Sequence, residues 1–282
     1  MTISRLWNRD ELANSPFFEP LRTILGQLNS DQFPSLANFN CLLDTLESPI
    51  TVQSGLPLRF VIQKTGKQNF ELQYEPLCYL KGEVQTRKNN WHDLFNALVW
   101  LTFPKTKAAI NARHYKSLMA RQDEKTSQRG SVRDMNTLFD ESGVVVVCAD
   151  PALSFLLLNF KWKALFWENR KQLKSSMGFY LFGHGLYEKA LDPYIGLTGQ
   201  GLLLRVDAVF FEMPPELQMR HVDTRVADYI NNPTHCVNTR ELTPVPLLGI
   251  PDWTPENISP DFYDNTDYFR PARRGSIYYS SF

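Results

Sequence analysis

Apolar residues recur at helical spacing through the first fifty positions. "SPFFEPLRTILGQL" follows Ser15, a cap candidate, with Pro16 at the first helical position. "SLANFNCLLDTL" repeats the pattern from Ser35. "PLRFVIQK" and "FELQYEPLCYLKGEV" then alternate or carry aromatic and β-branched residues, which predicts strands. A helix starts at Asn89 or Asn90 and runs to about Phe103. Pro104 restarts the chain into a second helix, "PKTKAAINARHYKSLMARQDEK".

Further along, "DMNTLF" and "VVVVCAD" flank a turn ending in Gly143 and predict a hairpin. "PALSFLLLNFKWKALFWENRKQLK" predicts one or two helices, "MGFYLF" a strand, and "GHGLYEKAL" a short helix stopped by Asp192-Pro193. "GLTGQG" is taken as a turn, and "GLLLRVDAVFF" fits strand or helix. "PPELQMRHVDTRVADYI" is a late helix. From Thr243 prolines recur at 244, 246, 251, 255, 260 and 271, among Trp253, Phe262, Tyr263, Tyr268 and Phe269. Proline forbids regular helix there, while the aromatics need burial. The expected class is α+β, a single domain, mainly helical with short strands and a hairpin. Residues 1–242 form its globular part. Residues 243–282 form an extended arm that wraps the same domain, or is exchanged with a second copy in a homo-oligomer.

Composition narrows the class. Lys plus Arg and Asp plus Glu number 30 each, so no global charge draws the chain to nucleic acid or an anionic membrane. Cys41, Cys78, Cys148 and Cys236 are far apart, which argues against a zinc ribbon, a thioredoxin-type site or a dense disulfide frame. The N-terminus has no signal-peptide apolar region. The most apolar run, "VVVVCADPALSFLLLNF", is broken by Asp150 and Pro151, so no membrane span is expected. These features point to a cytoplasmic protein.

The candidate chemistry sits in four places. In "NNWHDLFNALVW", His92, Asp93 and Asn96 lie inside an apolar helix. With Asn90 as N-cap, Asp93 is placed to complete a capping box. His92 lies in the first turn, where the helix dipole disfavours a positive charge and leaves a ring nitrogen to accept a proton or bind a metal. Asn96 is one turn beyond it. In "FGHGLYEKALDPY", His184 and Glu188 are four apart, bracketed by Gly183 and Gly185. That spacing suits a shared metal or an acid/base pair, and also an ordinary solvated pair.

"RDMNTLFDESG" supplies Asp134. Its Asp140 and Glu141 read as ordinary hairpin-turn residues. Residues 105 to 133 carry Lys105, Lys107, Arg113, Lys116, Arg121, Lys125, Arg129 and Arg133 against Asp123 and Glu124. They offer either a solvated face or a site for a phosphate-bearing ligand. No Walker loop, H-E-x-x-H, G-x-S-x-G or G-x-G-x-x-G occurs.

"GEVQTRKNNWHDLFNALVWLTFPKTKAAINARH" is similar to the signature of a bacterial family catalogued as domain of unknown function 3025. "RDMNTLFDESGVVVV", "GHGLYEKALDPYIGLTG" and "PVPLLGIPDW…FYDNTDYFRP" resemble its later blocks in the same order, from about Pro16 to Arg273. The resemblance implies no activity. It implies that His92, Asp93, Asn96, Asp134, His184 and Glu188 belong to the family's pattern, and that the arm is part of the fold.

Two readings stand nearly level. One is a metal-dependent hydrolase in which His92, His184 and Glu188 hold a divalent ion, with Asp93 or Asp134 completing or orienting the ligands. It needs the two imidazoles within about 10 Å of each other. The other is a binding protein whose polar cluster is structural. Nucleic-acid binding ranks last, because no aromatic stacking motif accompanies the basic stretch.

Overall fold

Residues 6–272 are described by a computed structural model, apart from residues 29, 65, 67, 68 and 124–127 and the side chains of 121–134. Two sheets organise them. In the smaller, β1 (Arg59–Ile62) runs parallel to β2 (Glu83–Thr86), with Phe60 opposite Val84 and both buried. In the larger, β3 (Gly143–Cys148), β4 (Met177–Leu181), β5 (Thr198–Arg205) and β6 (Thr243–Pro246) lie in the order β4-β3-β5-β6. Strand β3 is buried along its whole length, as four consecutive valines require of a central strand. Its neighbours run antiparallel (β4) and parallel (β5). Pro244 and Pro246 lie in β6, at the edge, where a missing N–H costs no ladder bond.

Helices cover these sheets. The N-terminal part holds α1 (Arg9–Asn14), α2 (Arg22–Gln27) and α3 (Leu36–Thr45). The middle holds α4 (Tyr74–Lys81), α5 (Trp91–Thr102), α6 (Pro104–Asp123) and α7 (Gln128–Ser142). After β3 come α8 (Pro151–Leu158), α9 (Arg170–Ser176), α10 (His184–Lys189) and α11 (Pro215–Asn231). The class is α+β, as the pattern predicts. No helix of the described residues is long and apolar enough to cross a membrane.

Three expected elements differ. "DMNTLF" is not the first strand of a hairpin but the end of α7, and β3 pairs with β4 instead. Met135 and Phe139 explain this: four apart, they are both buried on one helical face. "FELQYEPLCYLK" holds α4, because Leu77 and Cys78 are buried three and four residues after Tyr74, and Pro76 falls in the first turn, where its missing N–H is harmless. "GLTGQG" is a turn only at Gly196, which takes φ 114°; from Thr198 it is the start of β5.

Two capping arrangements fix the helices around the site. Asp223 of α11 is buried and accepts from the Lys105 and Thr106 backbone N–H groups at 3.1 and 2.9 Å, at the start of α6. Arg113 of α6 in turn donates to the carbonyls of Ile230, in the last turn of α11, and of His235, just past its end, at 2.6 and 2.9 Å.

The C-terminal segment packs on the same body as far as it is described. After β6 it proceeds through short 3-10 turns at Leu247–Gly249, Pro255–Ile258 and Pro260–Asp264. Tyr263, Tyr268 and Phe269 are buried. The Tyr268 hydroxyl donates to the Leu197 carbonyl at 2.7 Å and accepts from the Leu248 N–H at 3.0 Å. Residues 273–282 of the expected arm lie outside the described residues.

Candidate metal centre

Helix α5 is buried on nearly every face, from Leu94 to Leu101. Its polar residues are accommodated one by one. The Asn90 side chain caps the helix by accepting from the Asp93 N–H at 2.9 Å. The Asp93 carboxylate does not return to the cap. Its Oδ2 accepts from the Arg87 backbone N–H and Nε at 2.6 and 2.9 Å, and its Oδ1 from Arg87 Nη2 at 2.7 Å. Burial acts to raise the Asp93 pKa, but the Arg87 guanidinium and N–H outweigh it and hold the carboxyl below its usual range. Asn96 donates Nδ2 to the Tyr74 hydroxyl at 2.8 Å. Its Oδ1 is buried with no partner among the described residues.

His92 and His184 are brought together by packing on either side. Phe18, Phe95 of α5 and Tyr187 of α10 stack with centroids 5.6 to 5.7 Å apart. That stack fixes α10 against α5. On the other side, α10 starts hard against the end of α7. A Cβ at Gly183 would lie 2.5 Å from the Ser142 and Gly143 nitrogens. A Cβ at Gly185 would lie 2.5 Å from Glu141 Oε2 and 3.0 Å from the Glu141 carbonyl. The glycines around His184 therefore permit close approach of two helix ends, which carries Glu141 to the ring.

The two ring centroids are 4.5 Å apart, well inside the separation that a shared ion requires. Each ring meets carboxylates on both edges. His92 Nδ1 lies 3.1 Å from Glu188 Oε2, and its Nε2 lies 3.8 Å from Glu141 Oε1. His184 Nε2 lies 3.5 Å from the same Glu141 oxygen, and its Nδ1 lies 3.8 Å from Asp140 Oδ2. Ligand atoms of His92, Glu141 and His184 all fall within 4.8 Å of one another, as a group able to hold a metal ion. Glu188, the third ligand expected, instead sits on the far nitrogen of His92, and Glu141 occupies the position between the rings.

Electrostatics suit a cation. The facing His184 ring holds the Glu141 carboxyl below its usual range, against partial burial. Burial pushes Asp140 up, yet the Lys107 ammonium, 2.6 Å from Oδ1, and the His184 ring bring it below the ordinary value. Arg87 balances Asp93 and Lys107 balances Asp140, which leaves Glu141 and Glu188 in excess.

The group opens on a cavity of about 260 Å³. Tyr74, Glu75, Asn96 and His114 line the same space. Burial raises the Glu75 pKa, opposed by the nearby His114 and by the hydrogen bond from Asn111. Of the residues singled out in the sequence, His92, His184 and Glu188 meet. Asp93 and Asn96 line the cavity wall, tied to Arg87 and Tyr74. The Asp134 side chain lies outside the described residues. Glu141, Asp140 and Glu75 escaped sequence reasoning as site residues. The signal for the first two was present: a buried i,i+4 apolar pair, Met135 and Phe139, placing "DES" at a helix end.

In the basic stretch, Lys105 donates to Thr224 Oγ1, Lys107 pairs with Asp140, and Arg113 binds backbone carbonyls. Lys116 is exposed, and the other four basic side chains lie outside the described residues.

A family model described as "Protein of unknown function (DUF3025)" matches residues 58–273. No curated protein and no solved structure matches the chain.

Proposed function

The chain belongs to the family described as protein of unknown function DUF3025, so its chemistry is read from its own residues, and we propose that it is a metal-dependent hydrolase. His92, Glu141 and His184 are its ligands. The observation that carries the reading is the meeting of these three ligand groups, from three separate helices, at the wall of an open cavity. Two imidazoles and a carboxylate, with further positions open, form a donor set that catalytic zinc uses. Atoms around a tetrahedral zinc lie roughly 3.3 Å apart, so the group has to close by up to about 1.5 Å to take the ion.

The outer partners support the same reading. Glu188 on His92 Nδ1 favours the tautomer whose Nε2 faces Glu141, while His184 Nδ1, 3.8 Å from Asp140 Oδ2, is buried with no hydrogen-bond partner among the described residues. A divalent ion there supplies a Lewis acid and a bound water acidic enough to act near neutral pH. The phosphate-bearing substrate suggested by the basic stretch draws less support, because Lys105, Lys107 and Arg113 are already engaged.

The test is hydrolysis of a panel of activated ester, amide and phosphoester substrates by tag-free protein. Turnover that EDTA abolishes, zinc restores and Glu141→Gln lacks is the expected result. Turnover indifferent to EDTA, or retained by Glu141→Gln, would return the cluster to a metal-free or structural role.

A further inference from the structure

The wall of the cavity away from the three ligands has a chemical character of its own. Every described side chain that lines it is polar or charged, so it does not select for an apolar ligand. Arg87 in that wall and Lys107 behind Asp140 are committed to carboxylates. Arg87 gives its backbone N–H and two guanidinium donors to Asp93, and Lys107 gives its ammonium to Asp140.

Acceptors, by contrast, are left over. Asn96, 7 % exposed, lines the cavity; its Oδ1 is buried with no partner among the described residues, while its Nδ2 donates to the Tyr74 hydroxyl. Glu75 accepts from Asn111 Nδ2 on one oxygen, Oε2, at 2.5 Å, and its second oxygen has no partner among the described residues. A buried acceptor without a donor is costly, and the ligand is the natural source of the missing N–H groups. Glu75 and Glu141, both in the lining, repel an anion.

We propose that this cavity binds a small hydrophilic molecule through a protonated amino group seated between the Glu75 carboxylate and Asn96 Oδ1. The volume of about 260 Å³ corresponds to roughly nine liquid waters, so the ligand is a compound of about ten heavy atoms. Calling this molecule the substrate rests on the metal-dependent reading above; its binding does not.

Ligand-observed NMR on the full chain tests the idea with three small hydroxylated probes that differ in their charged or polar end: ethanolamine, glycolamide and 2-hydroxyethyl phosphate. Each is titrated into protein as purified and again in EDTA, so that phosphate held by a metal is told apart from phosphate held by the cavity. Ethanolamine is expected to bind at least about tenfold more tightly than the phosphate in EDTA. Glu75→Gln is expected to weaken ethanolamine about tenfold while leaving glycolamide within about twofold. Asn96→Asp keeps or tightens ethanolamine binding, because the Tyr74 hydroxyl then donates to the new carboxylate. Phosphate preferred in EDTA, ethanolamine unaffected by Glu75→Gln, or Asn96→Asp abolishing binding in a folded protein would each overturn the proposal. A zinc titration of the same sample separates the two readings. Zinc without ethanolamine binding defeats this inference alone; ethanolamine without zinc binding defeats the metal reading alone.

Discussion

Lys107→Met removes the positive half of a largely buried pair. Lys107 is 2 % exposed, and its ammonium lies 2.6 Å from Asp140 Oδ1. Deleting it strands a carboxylate whose side chain is 14 % exposed. Breaking a buried pair in this way costs about 3–5 kcal/mol at pH 7. A chain of this size then melts roughly 6–20 °C lower. The pH dependence is specific. In the native protein Asp140 is held below its ordinary value, so the pair contributes stability that is full above pH ~4 and is lost as pH falls through the folded pKa. In the variant only the His184 and His114 rings oppose burial, so the Asp140 value rises from its native one. The deficit is therefore full at pH 7 and shrinks as the pH falls towards that raised value. Urea unfolding followed by tryptophan fluorescence, at pH 7 and pH 5, reads both effects. Lys107→Met/Asp140→Leu, which removes both charges, should recover all but about 1 kcal/mol. That residue is the lost cation–π contact, in which Lys107 Nζ lies 5.6 Å from the Trp100 ring centroid. A single-variant cost below about 1 kcal/mol, or a double variant no better than the single, would refute the reasoning.

Gly185→Ala pushes a methyl group onto the Glu141 carboxylate and should lower zinc affinity about tenfold for about 1 kcal/mol of stability, whereas Gly183→Ala meets backbone and should cost about 3 kcal/mol in a melting experiment. Asp93→Asn releases the Arg87 fork and should cost about 1.5–3 kcal/mol at pH 7. Because Asp93 is held below its usual range, that cost disappears as pH falls below ~4, which acid titration of the unfolding midpoint checks. Tyr268→Phe strips the hydroxyl that joins the Leu197 carbonyl to the Leu248 N–H and should cost about 1–3 kcal/mol by the same assay.

The parts of the site that were legible in the sequence are those where local rules and tertiary structure agree. His92 and Asn96 stand out because an apolar helix seldom carries such groups unsatisfied, and both indeed find partners or the cavity. His184 and Glu188 stand out by their spacing, and α10 is helical as expected. Glu141 was hidden by its neighbours. "DESG" before a valine run has the composition of a hairpin turn, while only the burial of Met135 and Phe139 makes the preceding residues helical. Glu75 was hidden for the same reason in "FELQYEPLCYLK", where aromatic residues suggested a strand and the face holding Leu77 and Cys78 decided for α4. The role of Gly183 and Gly185 was not legible at all. Their glycine character is set by the backbone of α7, more than forty residues earlier, and no local pattern records that approach.

Calorimetric zinc titration of tag-free, EDTA-treated protein tests the central claim most directly, with Glu141→Gln and Glu188→Gln alongside. One zinc per chain is predicted for the native protein, none for Glu141→Gln, and binding weakened about 10- to 100-fold for Glu188→Gln, which acts only through His92. No heat of binding in the native protein, or equal affinity in Glu141→Gln, would contradict the account.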